Sequence, residues 1–331
     1  MKLRAALDLS PLHRPFPTSV VRTVRPLVEA LHARDDVEVI GVAPPANGSL
    51  ALWRQTALVA EARRARADAL HSFTSAFPLS RRLPVVQTVH EAPWRRAERE
   101  NAGMVHRAWA RLGRARAAAT CTPSPGVARD LGDHPRLHVV PWGVDERFGP
   151  VRDGLDARLG RELPGLPPEP FVLVLGGTRA KKRLALACEA AARAGLPVVA
   201  TGPPEDGASA LAERHGALVL TGEIDGALLP ALVRAAGCVA VLSTSEGFSL
   251  PVVEALRSRR AVVTPSGTVQ SETAGGAAFD VDPRDPDDVA RGLRDAVAAS
   301  EERLDRGQRV AGGYSWERTA ERLVDVWRGL R

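Results

Sequence analysis

Two glutamates that are eight residues apart enclose a turn and the predicted start of a helix. They are Glu246 and Glu254, in the segment STSEGFSLPVVEALRSRR (243–260), which continues an apolar run. Pro251 suits the first turn of a helix, because an N–H at that position would have no intrahelical partner. The free N–H groups of a helix N-terminus and the positive end of its dipole favour an anion, and Gly247 lets the backbone approach that anion closely. The pattern therefore predicts an anion-binding turn between two carboxylates.

Carboxylates repel an anion, so the two glutamates need another role. They can accept hydrogen bonds from hydroxyl groups that lie on either side of the anion. An anion with hydroxyl-bearing groups at both ends describes a sugar nucleotide, in which a diphosphate joins a sugar to a ribose. The simpler alternative makes Glu246 a solvated turn residue and Glu254 a helix-start residue that interacts favourably with the dipole. That alternative suits either glutamate alone, whereas the pair with GFSLP between them favours the sugar nucleotide.

Lysine is rare in this chain, and two of its three lysines are adjacent. Of 45 basic residues, only Lys2, Lys181 and Lys182 are lysine. Together with Arg179, the adjacent pair follows an apolar run that is predicted to be the first strand of the second half of the chain. Positive charge at a helix start opposes the helix dipole, so the cluster indicates a nearby anion such as a diphosphate. The simpler interpretation is a solvated helix start.

Apolar runs that alternate with segments of helical period supply the elements that position these residues. The predicted strands cover 3–9, 37–43, 67–73, 84–90, 117–123 and 137–142, then 170–177, 197–202, 217–222, 237–243, 261–266 and 277–282. The predicted helices cover 18–33, 50–66, 104–116 and 124–131, then 182–194, 206–215, 226–236, 251–259 and 286–300.

Near-continuous apolar strands that alternate with helices are typical of parallel sheets covered on both faces. Two such series predict an α/β chain of two doubly wound domains, which fits a length of 331 residues at roughly 150 residues a domain. The segment 143–170 is rich in Pro, Gly and charged residues and predicts a linker. Ligands of doubly wound domains bind at the carboxyl ends of the strands, so the cleft between the domains is the expected site.

Composition indicates a globular protein without a membrane span. The chain is 44% apolar and 25% charged, and no apolar run reaches about 18 residues. The N-terminal sequence MKLRAALDLS predicts a first strand and not a signal peptide. The three cysteines are far apart, odd in number and surrounded by apolar residues, which indicates reduced thiols in a cytoplasmic protein and neither a disulfide framework nor a zinc site. They are Cys121, Cys188 and Cys238.

Basic residues are concentrated in the first half of the chain. The net charge is +6, and residues 51–116 alone contain 13 Arg against 5 Asp or Glu, an excess of +8. The simpler interpretation is arginine on solvated helix faces. The alternative is a basic face that meets an acidic acceptor or a phospholipid surface. A nucleic acid partner is not expected, because no aromatic residues are interleaved with the arginines.

Two other classes of nucleotide-binding protein lack their motifs here. After the first predicted strand the chain continues DLSPLHRPFPTSVVRT, without a glycine, so the Gly-rich fingerprint of dinucleotide-binding oxidoreductases is missing. The phosphate loop GxxxxGK[ST] is missing as well.

Taken together, these segments resemble family 4 of the retaining glycosyltransferases, which have two Rossmann-like domains in the GT-B arrangement. EGFSLPVVEAL (246–256) matches the E-x7-E element of the family, LGGTRAKKRL (175–184) its diphosphate loop, and RLHVVPWGVDERFGP (136–150) its interdomain segment. Further matches are TGEIDGALLPALVRAAGCVAVLS (221–243), SETAGGAAFDVDPRDPDDVARGL (271–293) and the closing YSWERTAERLVDVWR (314–328). The resemblance covers nearly the whole chain.

The resemblance implies an architecture and an activity. Residues 1–150 would form an acceptor-binding domain, residues 151–313 a nucleotide-sugar-binding domain facing it across a cleft, and residues 314–331 a helix that crosses back onto the first domain. The implied activity is the retaining, metal-independent transfer of a hexose from GDP-mannose or a UDP-sugar to a hydroxyl acceptor. That acceptor is a saccharide, a lipid-linked sugar or a secondary metabolite, and no cofactor is expected. The implied location is the cytoplasm, with peripheral contact at the inner membrane face left open.

The resemblance also implies a role for each matching residue. Glu246 would contact hydroxyls of the transferred sugar, and Glu254 the hydroxyls of the ribose. The backbone N–H groups of the turn would hold the sugar and the distal phosphate; this turn comprises Gly247, Phe248, Ser249 and Leu250. Lys182 would bind the diphosphate with Arg179 or Lys181. His90, in VVQTVHEAP, matches a histidine that reaches the sugar near the bond being broken; its alternative role is a polar strand end, and His71 is a weaker candidate.

No metal is expected in this chemistry. In the family's usual mechanism, the departing phosphate oxygen takes the acceptor proton on the same face of the sugar, and no protein nucleophile is needed. Lysine, arginine and a helix N-terminus stabilise the leaving diphosphate. The string DVD (280–282) resembles the metal motif of the other glycosyltransferase fold. We interpret it as a helix N-cap and a solubility feature.

The chain departs from the family pattern at two places. Ser19 and Val21 stand where glycine is expected after the first strand, and Arg259 or a neighbour replaces the glycine that usually follows the E-x7-E helix. The first departure predicts either a different loop path or weaker binding by the first domain. It keeps open a second hypothesis, a partner subunit or pseudo-enzyme that binds sugar nucleotide without transferring sugar. The intact set of Glu246, Glu254 and Lys182 favours the enzyme. A third hypothesis, a phosphorylase on the same fold, would need a lysine to bind its pyridoxal cofactor, and the available lysines already have other roles.

Overall fold

The computed structural model describes residues 2–80, 82–95, 103–168, 170–203 and 207–330. The chain divides into two compact units. Unit 1 comprises Met1–Gly143 with Ser315–Arg331, and unit 2 comprises Val144–Tyr314. The sequence interpretation ended the first domain at residue 150, whereas the contacts assign residues 144–150 to unit 2.

Each unit is built on a parallel six-stranded sheet within the described residues. The strands of unit 1 are β1 (Leu3–Asp8), β2 (Val37–Val42), β3 (Ala69–Ser72), β4 (Val85–Thr88), β5 (Ala119–Thr122) and β6 (Leu137–Val139). Those of unit 2 are β7 (Val172–Leu175), β8 (Val198–Thr201), β9 (Leu218–Gly222), β10 (Cys238–Ala240), β11 (Ala261–Pro265) and β12 (Phe279–Val281). Every one of these strands lies inside the apolar run that predicted it. The central strands are buried along their whole length, which requires continuous apolar residues.

The strand order of each sheet contains a reversal point, between β1 and β3 in unit 1 and at the centre of the sheet in unit 2. The order is β2-β1-β3-β4-β5-β6 in unit 1 and β12-β11-β10-β7-β8-β9 in unit 2. The second order is that of the Rossmann fold, and the first is the other common doubly wound order. In unit 2 the order reverses between β7 and β10, which pair with each other directly. Loops that follow these two strands diverge and leave a crevice at their carboxyl ends.

Helices connect the strands. In unit 1 they are α1 (Ser10–His13), α2 (Thr18–His32), α3 (Leu50–Gln55), α4 (Ala57–Arg64), α5 (Met104–Arg116) and α6 (Pro125–Leu131). In unit 2 they are α7 (Gly154–Glu162), α8 (Leu184–Ala194), α9 (Ala208–Arg214), α10 (Leu229–Ala235), α11 (Leu250–Arg257), α12 (Val269–Thr273), α13 (Pro286–Val297) and α14 (Glu301–Ala311). The closing helix α15 (Trp316–Arg328) belongs to unit 1 and packs on α2. No helix in the described ranges combines the length and apolarity needed to cross a bilayer.

The segment predicted to be a linker is a folded part of unit 2, so that prediction is wrong for residues 144–162. Arg234 of α10 is fully buried and donates hydrogen bonds to Asp153, at 3.1 Å, and to Asp156, at 2.8 Å. The same guanidinium donates to the carbonyl of Arg147 at 3.2 Å. The charged residues of this segment therefore serve as helix caps and ion pairs, and composition alone does not distinguish that use from a linker.

The loop after β1 takes a path without glycine. Ser19 and Val21 lie in the first two turns of α2, and the short helix α1 fills the chain between β1 and α2. Asp8, which is fully buried, accepts hydrogen bonds from the Ser10 backbone N–H at 2.9 Å and from Arg54 at 2.7 Å. A helical turn anchored by a buried ion pair thus stands where the family pattern suggested glycines, and weaker binding by the first domain stays a prediction.

The core of unit 2 lies between its sheet and helices α8 and α13. Aliphatic side chains from β7, β10 and β11 interlock there with those of the two helices; examples are Val172, Ala240, Val263, Ala187 and Leu293. Helix α11 packs against β10 and β11. The sheet is therefore held rigidly, and the loops at its carboxyl ends start from fixed positions.

Candidate active site

Lys182 and Glu246 meet at the reversal point of the sheet in unit 2. Lys182 ends a turn of 3-10 helix that follows β7, and Glu246 lies in the loop that follows β10. Lys182 Nζ donates a hydrogen bond to Glu246 Oε1 at 2.7 Å, although the residues are 64 positions apart in sequence. The two side chains are only 9% and 15% exposed. The sequence predicted both residues as site residues, and the topology brings them into an ion pair.

Glycines hold the loop after β7 close to Lys182. Gly176, Gly177 and Gly202 have φ values of +95°, +85° and +119°, a region that side chains disfavour. A Cβ atom on Gly202 would lie 2.4 Å from the backbone nitrogen of Gly177, and one on Gly176 would lie 3.1 Å from Cε of Lys182. Only glycine permits backbone and lysine to pack this closely.

Positive charge exceeds negative charge around the ion pair. Burial acts to raise the pKa of Glu246, but the charges of Lys182 and Lys181 and hydrogen bonds from Lys182 and Ser243 outweigh it and hold that pKa below its ordinary value. Glu246 is therefore ionised near neutral pH. Arg179 precedes the same turn, and its guanidinium has no hydrogen-bond or ion-pair partner within the described residues. Two lysines act on the charge of Glu246, and Arg179 lies on the same loop, a balance that suits an anionic ligand.

Helix α11 begins at Leu250, one residue before the predicted range 251–259, and its N-terminus is unusual. Ser249 precedes it with φ +78° and ψ +71°, a left-handed conformation that is uncommon for a residue other than glycine. Its side chain does not cap the helix. Ser249 is 4% exposed, and its Oγ has no hydrogen-bond partner within the described part of the chain. Strained backbone and a buried, unused hydroxyl at a helix N-terminus are features of ligand sites.

The Gly-Phe-Ser turn before α11 is fixed from two sides. Thr273 of α12 donates its hydroxyl hydrogen to the Phe248 carbonyl at 2.6 Å. Tyr314 packs its ring edge-on against the Phe248 ring, with centroids 5.2 Å apart, and donates to the Thr273 carbonyl. Glu254, on the second turn of α11, is buried with 2% exposure. No local sequence pattern indicated Thr273 and Tyr314, because they lie 25 or more residues from Phe248.

His90 lies in unit 1, just beyond β4. Its Nε2 donates to the Phe73 carbonyl at 2.8 Å, and its ring lies against the indole of Trp142, with centroids 5.5 Å apart. Burial lowers the pKa of His90, and the Phe73 carbonyl opposes that effect only in part. The ring is therefore neutral near pH 7, with Nδ1 as an acceptor. Its predicted role at the transferred sugar stays a prediction.

His71 has a structural role in unit 1. It is 1% exposed, its Nδ1 accepts the indole N–H of Trp327 at 3.1 Å, and its Nε2 donates to Thr88 Oγ1 at 2.8 Å. Burial lowers the pKa of His71 to about 3, so the ring remains neutral. His71 thus ties strands β3 and β4 to the closing helix α15, and both of its nitrogens are used.

The string DVD (280–282) makes ordinary side-chain hydrogen bonds. Asp280 accepts from Thr264 at 2.7 Å and from Ser271 at 2.8 Å, and Asp282 accepts from Arg284. The cap of α13 is Asp285, so the N-cap interpretation of DVD was wrong by three residues. Within the described ranges, no group of three or more His, Cys, Asp or Glu side chains is arranged to hold a metal ion.

A doubly wound domain with excess positive charge at its reversal point is the kind of α/β domain that binds an anionic nucleotide ligand. Residues 161–311 match the family model "Glycosyl transferases group 1", and residues 20–148 match the model "Glycosyltransferase Family 4". The chain belongs to family 4 of the glycosyltransferases, so the predicted family is confirmed.

Two curated relatives carry the same name. The chain is 33% identical over 230 residues to the D-inositol 3-phosphate glycosyltransferase of Geodermatophilus obscurus, a match that covers 60% of this chain and 50% of that protein. It is 34% identical over 233 residues to the protein of that name from Salinispora tropica, with 61% and 48% covered. The chain spans about half the length of the curated relatives it matches.

Solved structures confirm the predicted fold class, an α/β chain of two doubly wound domains as in the GT-B glycosyltransferases. Anabaena HepE in complex with UDP and glucose matches with a TM-score of 0.74 and 15% identity, over 99% of this chain and 100% of that one. Sucrose-phosphate synthase from Thermosynechococcus elongatus matches with a TM-score of 0.74 and 16% identity, over 99% of each. WaaG, a glycosyltransferase involved in lipopolysaccharide biosynthesis, matches with a TM-score of 0.71 and 16% identity, over 98% of this chain and 100% of that one.

Proposed function

We propose that the protein is a retaining, metal-independent glycosyltransferase that uses a nucleoside-diphosphate sugar as donor. The observation that carries the proposal is the cationic reversal point of unit 2, where Lys182 lies 2.7 Å from Glu246 and Arg179 has no described partner. Lys182 is buried in its pair with Glu246, and two further cations, Arg179 and Lys181, belong to the same loop. A diphosphate would balance this positive charge. Membership of a glycosyltransferase family supports the same conclusion.

The diphosphate, the transferred sugar and the ribose of the donor are proposed to bind different residues of unit 2. The diphosphate would bind Lys182, Arg179 and Lys181, and its sugar-linked phosphate would accept hydrogen bonds from the N–H groups at the start of α11. The hydroxyls of the transferred sugar would donate to Glu246, and those of the ribose to the buried carboxylate of Glu254. The helix dipole and the cations then favour the same negative ligand.

The proposed chemistry needs stabilisation of the leaving group more than it needs a base. The bond between the anomeric carbon and the diphosphate oxygen breaks, and the acceptor oxygen forms its bond to that carbon on the same face. The acceptor proton passes to the departing phosphate oxygen, so no protein nucleophile and no cofactor take part. Lys182 and the N-terminus of α11 would stabilise the negative charge that develops on the diphosphate, which is the role that a divalent metal serves elsewhere.

The donor base and the acceptor are open to direct test. The solved HepE structure contains UDP and glucose, and the curated relatives are named for transfer to D-inositol 3-phosphate. UDP-sugars, GDP-mannose and D-inositol 3-phosphate are therefore the first donors and acceptor to test, with saccharides, lipid-linked sugars and secondary metabolites as further acceptors.

A thermal-shift panel tests the proposal. UDP, GDP, UDP-glucose and GDP-mannose are added with and without a chelator, and the shift in melting temperature is measured. We expect one nucleotide series to raise the melting temperature equally in both conditions. Stabilisation that the chelator abolishes would contradict metal independence, and no stabilisation by any of the four would contradict the donor site. Binding without transfer or donor hydrolysis would favour the alternative of a catalytically weak binding subunit.

Replacing Ser249 with alanine is expected to weaken donor binding about tenfold without lowering the melting temperature of the empty protein. The hydroxyl of Ser249 has no partner within the described residues, so its removal breaks no internal bond there, whereas a hydrogen bond to a charged phosphate contributes about 1.5 kcal/mol or more. Isothermal titration calorimetry with the sugar nucleotide measures the change. Unchanged affinity would show that the hydroxyl does not contact the donor.

We also propose that helix α5 of unit 1 binds an anionic lipid surface. Met104 and Val105 are 87% and 70% exposed, and Arg107 and Arg111 are exposed on the turns that follow. The helix contains no acidic residue. Apolar side chains next to arginines suit insertion at the boundary of a membrane with negative headgroups, which would bring the protein to a lipid-linked acceptor.

Replacing both Met104 and Val105 with glutamate is expected to lower binding to phosphatidylglycerol vesicles at least tenfold, because insertion of two apolar side chains is lost and two negative charges are added. Vesicle co-sedimentation measures the effect, with phosphatidylcholine vesicles as the neutral comparison. Val151→Glu, at a valine of unit 2 that is 77% exposed, is the matched control. Equal binding by wild type and the double variant would refute the assignment.

A further inference from the structure

In the empty site Glu246 binds Lys182, the same cation that the proposed diphosphate would bind. Both side chains are largely buried, and Glu246 Oε1 lies 2.7 Å from Lys182 Nζ. A phosphate that binds Lys182 comes into contact with the negative charge of Glu246 or displaces that carboxylate. A carboxylate left without a partner in a buried place is costly. The geometry therefore sets the two anions in competition for one lysine.

The two parts of a sugar nucleotide act on this competition in opposite ways. The diphosphate draws Lys182 away from Glu246, whereas hydroxyls of the attached sugar donate hydrogen bonds to Glu246 and replace the lost partner. A nucleoside diphosphate without the sugar offers no such hydroxyls at this position. The same nucleoside diphosphate is the product that remains once the sugar has been transferred.

We propose that Glu246 is a specificity-determining residue that holds Lys182 in the empty site and so selects the sugar-bearing donor over the bare nucleoside diphosphate. This inference rests on the proposed function and goes beyond a contact of Glu246 with sugar hydroxyls. After transfer, Glu246 regains Lys182 as a partner, and the return of the ion pair weakens the hold on the product. The negative charge of Glu246 thus promotes release of the nucleoside diphosphate as well as recognition of the sugar nucleotide.

The proposal predicts a result that would not be expected if Glu246 only accepted hydrogen bonds from the sugar. Glu246→Gln removes the charge, keeps the size of the side chain and frees Lys182 for phosphate. We expect the affinity of the variant for UDP or GDP to rise about tenfold, while its affinity for the matching UDP-glucose or GDP-mannose stays level or falls. The ratio of donor affinity to nucleotide affinity then drops by tenfold or more.

Titration calorimetry of wild type and the variant with these four compounds measures the ratio. Glu302→Gln is the matched control, because Glu302 is an exposed glutamate of α14 and its loss changes the net charge of unit 2 equally. The control is expected to bind all four compounds as wild type does. Product inhibition is a second readout, in which the inhibition constant of UDP or GDP should fall in Glu246→Gln. Glu246→Ala replaces this variant if Glu246→Gln folds poorly, with the same expected sign for the bare nucleotide.

Three results would overturn the inference, and each is distinguishable from the others. If Glu246→Gln binds UDP and GDP no more tightly than wild type while wild type binds the sugar nucleotide, the competition does not exist and the proposed function stands. If wild type binds none of the four compounds, the donor site and the inference fall together. A gain of nucleotide affinity in Glu302→Gln as large as that in Glu246→Gln would assign the effect to net charge and also overturn the inference.

Discussion

Replacing Lys182 with alanine is expected to lower the turnover number for sugar transfer by about 10²–10³-fold. Removing one preorganised donor to a developing negative charge has an effect of this size in other enzymes. Lys182 is the cation that the fold of unit 2 buries at the reversal point, so water replaces it poorly. The leaving diphosphate carries most of its new charge in the transition state, so the loss should affect turnover more than donor affinity. Initial rates against donor concentration separate kcat from KM.

The matched control for this variant is Lys2→Ala. Lys2 is the remaining lysine of the chain outside the site; it is exposed in unit 1, and its loss should leave both kinetic constants unchanged. The variant Lys182→Ala also leaves Glu246 without its lysine, so the double variant Lys182→Ala with Glu246→Gln tests whether lost activity comes only from that orphaned charge. A turnover number for Lys182→Ala within twofold of wild type would rule out a role for this lysine in the reaction.

Replacing Glu254 with alanine is expected to weaken nucleotide binding about 10–100-fold. Hydrogen bonds from ribose hydroxyls to a charged acceptor contribute about 1.5–3 kcal/mol each, and the carboxylate is buried where water competes poorly. In wild type, removal of the 2′-hydroxyl from UDP or GDP should weaken binding. In the variant, the nucleotide and its 2′-deoxy form should bind with similar affinity, because the carboxylate that accepts the hydrogen bond of the 2′-hydroxyl is gone.

The comparison with the 2′-deoxy nucleotide distinguishes loss of a ribose contact from a general loss of stability. Truncation of a buried side chain also creates a cavity, which lowers stability and weakens any ligand without regard to the ribose. A cavity effect keeps the discrimination between the two nucleotides, whereas loss of a ribose contact abolishes it. Retained discrimination in Glu254→Ala would therefore place the ribose elsewhere, whatever the absolute affinity. Glu213→Ala, at an exposed glutamate of α9, is the control for charge and should bind as wild type does.

The positions of the strands along the chain and the start of α11 were predictable because their causes are local. A strand that is buried on both faces needs a continuous apolar run, and a proline tolerates only the first turn of a helix. The family pattern suggested glycine shortly after α11, and Arg259, two residues beyond the end of the helix at Arg257, has φ +53°, a conformation that favours glycine. Here arginine adopts it and forms ion pairs with Glu301 and Asp305 of α14.

The linker prediction failed for a reason that is not local. The partners of Arg234 lie 78 and 81 residues away in sequence, and their approach depends on how α7 packs against α10. The buried guanidinium of α10 makes a charged segment part of the domain, although that segment alone has the composition of a linker. His71 is a similar case, since its partner Trp327 is 256 residues away.

The sequence by itself determined the two doubly wound units, the position of the turn before α11 and the residue types that serve the proposed donor, since spacing and polarity along the chain encode them. Tertiary structure alone decided that Lys182 and Glu246 form a pair, that Ser249 is buried in a strained conformation, and that Thr273 and Tyr314 hold the turn in place. The physical reason is that a parallel sheet with a reversed strand order brings together loops that are distant in the chain. Charged residues on those loops then form ion pairs that no local sequence pattern specifies.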